Sequence, residues 1–135
     1  MCLVHDMAEC IVGDLTPHCG VSVEEKHKRE EDAMKELVAL VPELAGENML
    51  QLFHEYEGQS TPEAVLVKDL DRFDMICQAF EYEEKHNRPF GLQEFFDATE
   101  GRFKVPEVQK WVDELKAKRA ATFSQAQKEV LVNGN

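Results

Sequence analysis

The sequence lacks the features of a membrane, secreted or β-sheet protein. It has no apolar run approaching the roughly 20 residues that cross a bilayer, and its N-terminus has no basic region followed by the long apolar core of a signal peptide. No stretch alternates apolar and polar residues as a half-buried strand does, and no hairpin turn signal occurs. These absences predict a soluble, intracellular, all-α protein with no membrane partner.

Basic residues are scarce. Lys and Arg number 15 against 27 Asp and Glu, which gives a formal net charge of -12. A nucleic-acid polymer is therefore excluded as a general partner, because its phosphates would be repelled except at a local basic patch. A small anionic substrate beside a metal ion stays compatible with this charge, because the field of a site is local. The 135 residues, 43% of them hydrophobic, predict one modest core and a single domain.

Cysteine shows no pattern typical of disulfides or of a zinc site. The four cysteines, Cys2, Cys10, Cys19 and Cys77, form no Cys-x-x-Cys pair. A chain of this size and apolar content does not need disulfide bonds for stability. We predict reduced thiols, with Cys2 and Cys77 as small core residues.

Apolar residues recur at helical spacing through most of the chain. Ser22 and Glu25 have the spacing of a capping box, and Pro62 suits the first position of a helix. Gly13 and Gly58 are suited to end a helix. The predicted helices cover residues 2–12, 22–41, 47–57, 62–85 and 92–99, and a last helix begins near residue 106. Residues 131–135 are predicted to be a tail.

The densest group of chemically active residues lies near the start of the chain. Adjacent His5 and Asp6 differ by about 100° around a helix, so both can reach one metal ion lying off that edge. An imidazole and a carboxylate suit Mn, Co, Ni, Zn or Fe better than calcium. Two ligands do not complete a site. The best candidate for a further carboxylate is Asp71, an acid on the otherwise apolar stripe of the fourth predicted helix.

Two more carboxylates lie close to this pair in the sequence. Glu9 follows His5 by one helical turn, which places its carboxylate near any water that a metal would activate. It would orient or deprotonate that water, or protonate a leaving oxygen. Asp14, just past the end of the first predicted helix, would complete an acid pair with Glu9.

The same residues also have a purely structural interpretation. A His-Asp dipeptide is often a surface or capping pair, Glu9 alone is typical of a solvated helix position, and Asp14 is a common turn initiator. Lys68 and Asp69 would then be one more surface pair. The motif chemistry by itself leaves both interpretations open.

Several short motifs occur in a fixed order along the chain. They are His5-Asp6-Met7-Ala8-Glu9-x-x-Val12-Gly13-Asp14-Leu15-Thr16-Pro17, Glu25-Lys26-x-x-Arg29-Glu30, Glu55-Tyr56-Glu57, Val67-Lys68-x-x-Asp71, Glu81-Tyr82-Glu83 and Leu92-Gln93-Glu94-Phe95-Phe96. Together they resemble the HD-domain phosphohydrolase superfamily and, within it, the 5'-deoxynucleotidase family. The resemblance spans nearly the whole chain.

The resemblance implies an all-α HD-domain helical bundle over residues 1–130, N-terminally truncated. It implies a metal-dependent phosphomonoesterase that releases phosphate from deoxyribonucleoside 5'-monophosphates. The implied cofactor is a divalent metal (Mn, Co, Ni, Zn, Fe or Mg), and the implied assembly is a homodimer.

The resemblance also assigns roles to individual residues. The metal ligands are His5, Asp6 and Asp71, the catalytic acids are Glu9 and Asp14, and the residue of the substrate pocket is Glu55. In the family a first metal-binding His comes from helices before the His-Asp motif, whereas this chain begins four residues before that motif. Among the other histidines, His54 is the one considered as a substitute ligand.

Two other functions compete with the deoxynucleotidase. A non-catalytic interaction module, or an inactive fragment, that retains the HD scaffold is favoured by the absence of that first His. An HD phosphohydrolase acting on cyclic dinucleotides or guanosine tetraphosphate is less favoured, because the sequence has no Gly-Tyr-Pro motif.

Overall fold

The protein is built from α-helices. A computed structural model describes residues 1–15 and 19–133, with side chains up to residue 124. The described residues form no strand, and their helices are α1 (Glu9–Val12), α2 (Val23–Val38), α3 (Glu43–Gly58), α4 (Pro62–Lys85), α5 (Gln93–Thr99) and α6 (Pro106–Asn133). The all-α prediction is confirmed. Within the described part of the chain, no helix is both long enough and apolar enough to cross a membrane.

The first predicted helix is wrong in its extent. Residues 2–8 form turns, in which the N–H groups of Val4 and Met7 donate to carbonyls three residues earlier, and regular α-helix begins only at Glu9. Val4 and Ala8 are nevertheless four residues apart and both buried. The turns therefore present one apolar face to the core, as a helix would.

The close approach of α2 and α3 explains the second boundary error. A Cβ atom on Gly46 would lie 2.8 Å from the carbonyl oxygen of Val38, so the two helices meet where only glycine fits. Glycine is a weak helix former, so the sequence prediction began this helix after Gly46. α3 in fact begins at Glu43, directly after Pro42. α2 ends at Val38 instead of residue 41.

The chain divides into two compact units, Met1–Val67 and Lys68–Asn135, and α4 contains the boundary. The buried core of the first unit includes Val4, Ala8, Ala33, Met34 and Phe53. The buried core of the second unit includes Ile76, Ala79, Phe80, Phe96, Val108, Val112 and Phe123. The predicted domain at residues 1–130 and tail at residues 131–135 stay predictions, with residues 134 and 135 outside the described part of the chain.

A buried ion pair holds together the three helices of the second unit. Arg119 on α6 donates from Nε and Nη2 to the two carboxylate oxygens of Glu83 on α4, at 2.7 and 2.8 Å. Arg119 also donates from Nη1 to Gln93 at 2.8 Å, and its guanidinium lies 3.8 Å from the centre of the Phe96 ring. The N–H of Leu92 donates to Glu83 at 2.7 Å. One bidentate pair therefore connects α4, α5 and α6.

A second buried carboxylate fixes the segment before α6. Asp69 has no exposed surface, and its Oδ2 accepts from the N–H groups of Lys104 and Val105, each at 2.7 Å. The prediction that Lys68 and Asp69 form a surface pair is wrong. The Lys68 ammonium instead donates to Asp71 at 3.2 Å, because residues three apart share a helix face and adjacent residues do not.

The cysteine predictions are half correct. Cys2 is exposed, so its prediction as a core residue is wrong. Cys77 is half-buried, and burial, followed by the charges of Asp74 and Glu81, raises the pKa of its thiol. A thiol with a raised pKa is a poor nucleophile, which agrees with the structural role predicted for Cys77.

Candidate functional site

The imidazole of His5 is held through both ring nitrogens. Its Nδ1 lies 3.0 Å from the carbonyl oxygen of Cys2, and its Nε2 lies 3.0 Å from Oδ2 of Asp6. The ring packs against Tyr56 with 4.9 Å between ring centres, and the side chain is 14% exposed. When the carbonyl of Cys2 accepts from Nδ1–H, Nε2 is the nitrogen that faces Asp6 and could bind a metal ion, which is the arrangement typical of metal-binding histidines.

The spacing of His5 and Asp6 fits a bound metal ion. Two ligands that lie about 2.1 Å from one ion and about 90° apart are about 3.0 Å from each other. The separation of Nε2 and Oδ2 has this value, and both side chains offer an atom suited to a metal. One imidazole and one carboxylate favour a divalent transition ion over calcium.

Glu9 and Asp14 are separated by the sharp end of α1. Gly13 has φ 77° and ψ 169°, a conformation that is essentially restricted to glycine, and its N–H donates to the Glu9 carbonyl at 2.8 Å. Burial raises the pKa of the Glu9 carboxyl, and the negative charges of Asp6 and Asp14 raise it further. The predicted acid pair therefore interacts electrostatically, through the effect of the Asp14 charge on Glu9.

One cation lies among these acids, and the sequence interpretation missed it. The Lys26 ammonium donates to the carbonyl of Leu15 at 3.0 Å and lies 3.4 Å from Oε1 of Glu30, which is 7% exposed. Lys26 lowers the pKa of Glu9, against the larger effects that raise it. The first half of α2 is charged all round, a pattern typical of a solvated helix. The i,i+4 spacing of Lys26 and Glu30 was the available signal.

Glu55, the predicted residue of the substrate pocket, contacts the start of α4. Its carboxylate accepts from the Thr61 hydroxyl at 2.5 Å, and the same hydroxyl oxygen accepts from the N–H of Ala64 at 3.2 Å. Glu55 thus orients the side chain that satisfies the first turn of α4. Its role toward substrate stays a prediction.

Asp71 lies on α4 in the second unit. Its side chain is 34% exposed, and Oδ2 accepts from the Lys68 ammonium at 3.2 Å. Its role as a metal ligand stays a prediction. His54, considered as a substitute ligand, is 51% exposed and lies 2.8 Å from the carboxylate of Glu31.

Comparison with known proteins connects this geometry to a family. Residues 1–110 match the HD domain. The chain is 51% identical over 129 residues to the 5'-deoxynucleotidase HDDC2 of Bos taurus, which covers 96% of this chain and 63% of that protein. The HDDC2 of Homo sapiens is 48% identical with the same coverage, and the 5'-deoxynucleotidase hdd1 of Schizosaccharomyces pombe is 47% identical over 87% of this chain and 61% of its own length.

The chain thus spans less than two thirds of the length of these relatives. The matched region contains the His-Asp pair, Glu9, Asp14 and Asp71. The helices of the structure agree with the match to the HD domain, which covers most of the residues. The chain belongs to the HD domain family.

Proposed function

We propose that the chain is a metal-dependent phosphomonoesterase that releases phosphate from deoxyribonucleoside 5'-monophosphates. The observation that carries this proposal is its identity of 48% and 51%, over 96% of the chain, to two relatives named 5'-deoxynucleotidase. The spacing of His5 and Asp6 and the perturbed pKa of Glu9 give the proposal a chemical basis.

In this proposal His5 and Asp6 hold the metal ion, and Asp71 supplies a further carboxylate. The candidates for the ion are Mn, Co, Ni, Zn, Fe and Mg. When bound, such an ion lowers the pKa of water toward neutrality and neutralises charge on a phosphoryl oxygen. The Cys2 carbonyl keeps the His5 ring in the orientation that this binding needs.

Glu9 carries the proton transfer in this proposal. Its carboxylate takes a proton from the attacking water and returns it to the leaving 5'-oxygen. A general base works best when its pKa approaches the working pH, and burial together with Asp6 and Asp14 shifts the pKa of Glu9 in that direction. Asp14 supports Glu9 through its charge, and Glu55 lines the substrate pocket.

The test measures phosphate release from the four deoxyribonucleoside 5'-monophosphates and their ribonucleoside counterparts, with added Mn²⁺ or Co²⁺. We expect activity toward the deoxynucleotides. Asp6→Asn is expected to reduce it by more than about 100-fold, the upper range for groups that only orient a ligand. Glu9→Gln is expected to reduce kcat by about 10²–10⁴-fold. Lys110→Met, at an exposed position on α6, is the matched control and keeps full activity.

Two outcomes would contradict the proposal. If the purified chain releases no phosphate from any deoxynucleotide with either ion, the enzyme proposal is wrong and the HD-scaffold interaction module takes its place. Activity that is unchanged by Asp6→Asn would reject the metal site at His5 and Asp6.

We also propose that the chain forms a homodimer. The first unit leaves large apolar side chains exposed, among them Leu3 at 90%, Leu40 at 82% and Leu44 at 71%. Exposed apolar surface is typical of protein interfaces. Light scattering coupled to gel filtration measures the mass directly, and a monomeric mass at every concentration would reject the dimer.

A further inference from the structure

Two His–Glu pairs connect α2 and α3. In the first pair the histidine lies on α2, and in the second it lies on α3. His27 on α2 lies 2.9 Å, measured from Nδ1, from Oε2 of Glu57 on α3. One turn along, Glu31 on α2 lies 2.8 Å from Nε2 of His54 on α3. All four side chains line one surface cavity of about 300 Å³, together with Lys28 and Phe53. The two pairs look equivalent, but their surroundings differ.

A third side chain that could bind a metal ion lies beside the first pair. The ligand atoms of His27, Glu30 and Glu57 all lie within 4.8 Å of one another. His27 and Glu30 are three residues apart on α2 and share one face of the helix. Glu30 is more than nine-tenths buried, with Oε1 3.4 Å from the Lys26 ammonium.

The second pair has a different set of neighbours. Glu31, the carboxylate that faces His54, also lies 3.2 Å from the ammonium of Lys35. Among the described residues, the metal-ligand groupings of three or more do not include His54 or Glu31. The second pair is therefore a complete ion-pair network, and it serves as an internal comparison for the first.

We propose that His27, Glu30 and Glu57 form a binding site for a divalent transition ion such as Zn²⁺ or Co²⁺, separate from the ligands at His5 and Asp6. A histidine and a carboxylate at i and i+3 on one helix, joined by a carboxylate from a facing helix, is a ligand arrangement found in helical bundles. One nitrogen and two oxygens suit a borderline ion.

The observed distances require little movement to bind the ion. Two ligands at about 2.0–2.1 Å from a tetrahedral ion are about 3.3–3.4 Å from each other, so the 2.9 Å separation of His27 and Glu57 has to widen by about half an ångström. The ion takes the place of the proton between the two side chains, and the imidazole then binds through Nδ1 with its remaining N–H on Nε2. Because the His27 side chain is 58% exposed, water fills the remaining coordination positions. The bound ion would join α2 to α3.

The experiment counts metal equivalents in the full chain after removal of bound metal with a chelator. Co²⁺ is titrated by its visible absorption and Zn²⁺ by calorimetry. We expect one equivalent that His27→Gln removes, or weakens by more than about 10-fold, and that Asp6→Ala leaves in place. Glu57→Gln is expected to weaken the same equivalent. His54→Gln is the matched control, because it breaks the second pair across the same two helices, and it is expected to leave binding unchanged.

A second measurement checks the structural consequence. An ion that binds the folded chain and not the unfolded chain raises the thermal midpoint of unfolding. Zn²⁺ should therefore raise the midpoint of the Asp6→Ala protein, and it should not raise that of the double variant Asp6→Ala, His27→Gln. His27 is exposed, and its replacement is compatible with folding. The proposal is overturned if His27→Gln binds the same number of equivalents as the parent with the same affinity. It is also overturned if His54→Gln weakens binding as much as His27→Gln, since the cavity would then attract cations by charge alone.

Discussion

Replacement of Arg119 by methionine is expected to lower the free energy of unfolding by about 3–5 kcal/mol. The change removes two hydrogen bonds to Glu83 and one to Gln93. The Glu83 side chain has no exposed surface, so its carboxylate would stay buried, and the N–H of Leu92 would be its remaining hydrogen-bond donor among the described residues. An uncompensated buried charge, more than the lost bonds, sets this magnitude.

The double variant Arg119→Met, Glu83→Leu separates these two contributions. It removes both charges, so no carboxylate remains uncompensated in the core. We expect it to be more stable than Arg119→Met alone, with a coupling energy of about 0.5–3 kcal/mol. The Leu92 N–H then loses its acceptor, which keeps the double variant below the parent.

Urea unfolding followed by the fluorescence of Trp111 measures these differences. Trp111 is the single tryptophan, lies on α6 and packs against Phe73, so it reports on the second unit. Lys110→Met is the matched control, since its pair with Glu107 is exposed and its loss should change stability by no more than about 0.5 kcal/mol. A cost below about 1 kcal/mol for Arg119→Met, or a double variant as unstable as the single one, would refute the reasoning.

Two further predictions concern the first unit. Gly46→Ala is expected to destabilise by about 1–3 kcal/mol, because the new Cβ would lie 2.8 Å from a backbone oxygen of Val38 that cannot rotate away. Gly58→Ala, whose Cβ would meet nothing closer than 3.8 Å, should be neutral or gain up to about 1 kcal/mol in the same urea experiment, and equal losses would contradict the close approach. Folding raises the pKa of the Glu9 carboxyl above its ordinary value of 4.5, so the folded chain binds a proton there more tightly than the unfolded chain does. The free energy of unfolding therefore falls as pH rises from the unfolded pKa through the higher, folded pKa of Glu9. Glu9→Gln should therefore be more stable than the parent at neutral pH and match it well below pH 4.5, and a parent that is the more stable at neutral pH would contradict this.

Local signals in the sequence predicted most of the helices. Ser22 accepts from the N–H of Glu25 at 3.2 Å, as the capping box requires. The reverse bond of that motif is not formed, because the Glu25 carboxylate accepts from the Arg29 guanidinium at 2.7 Å instead. A charged donor one turn away competes successfully with a backbone N–H. The start of α3 was missed because Gly46 lies inside the helix. The reason for a glycine there is the close approach of Val38 on α2, which the sequence does not show.

In the candidate site, too, contacts between residues close in sequence were predictable and contacts between distant residues were not. His5, Asp6 and Glu9 are close in sequence, so their local spacing was sufficient to predict one site that contains them, and that site stays a prediction. The burial of Asp69 depends on backbone groups 35 and 36 residues away, and no local pattern distinguishes it from Asp71. The pairs between α2 and α3 depend on the register of two helices, which the sequence does not specify.

The contacts of Asp69 have a consequence for hydrogen exchange and for the order of folding. The amides of Lys104 and Val105 lie outside any helix, yet both donate to a carboxylate that has no exposed surface. Their exchange with solvent requires that this carboxylate be exposed, so they should exchange as slowly as amides within a core helix. Because the bonds close a long segment of chain, protection at these two amides should appear late in refolding, once α4 and the start of α6 have met.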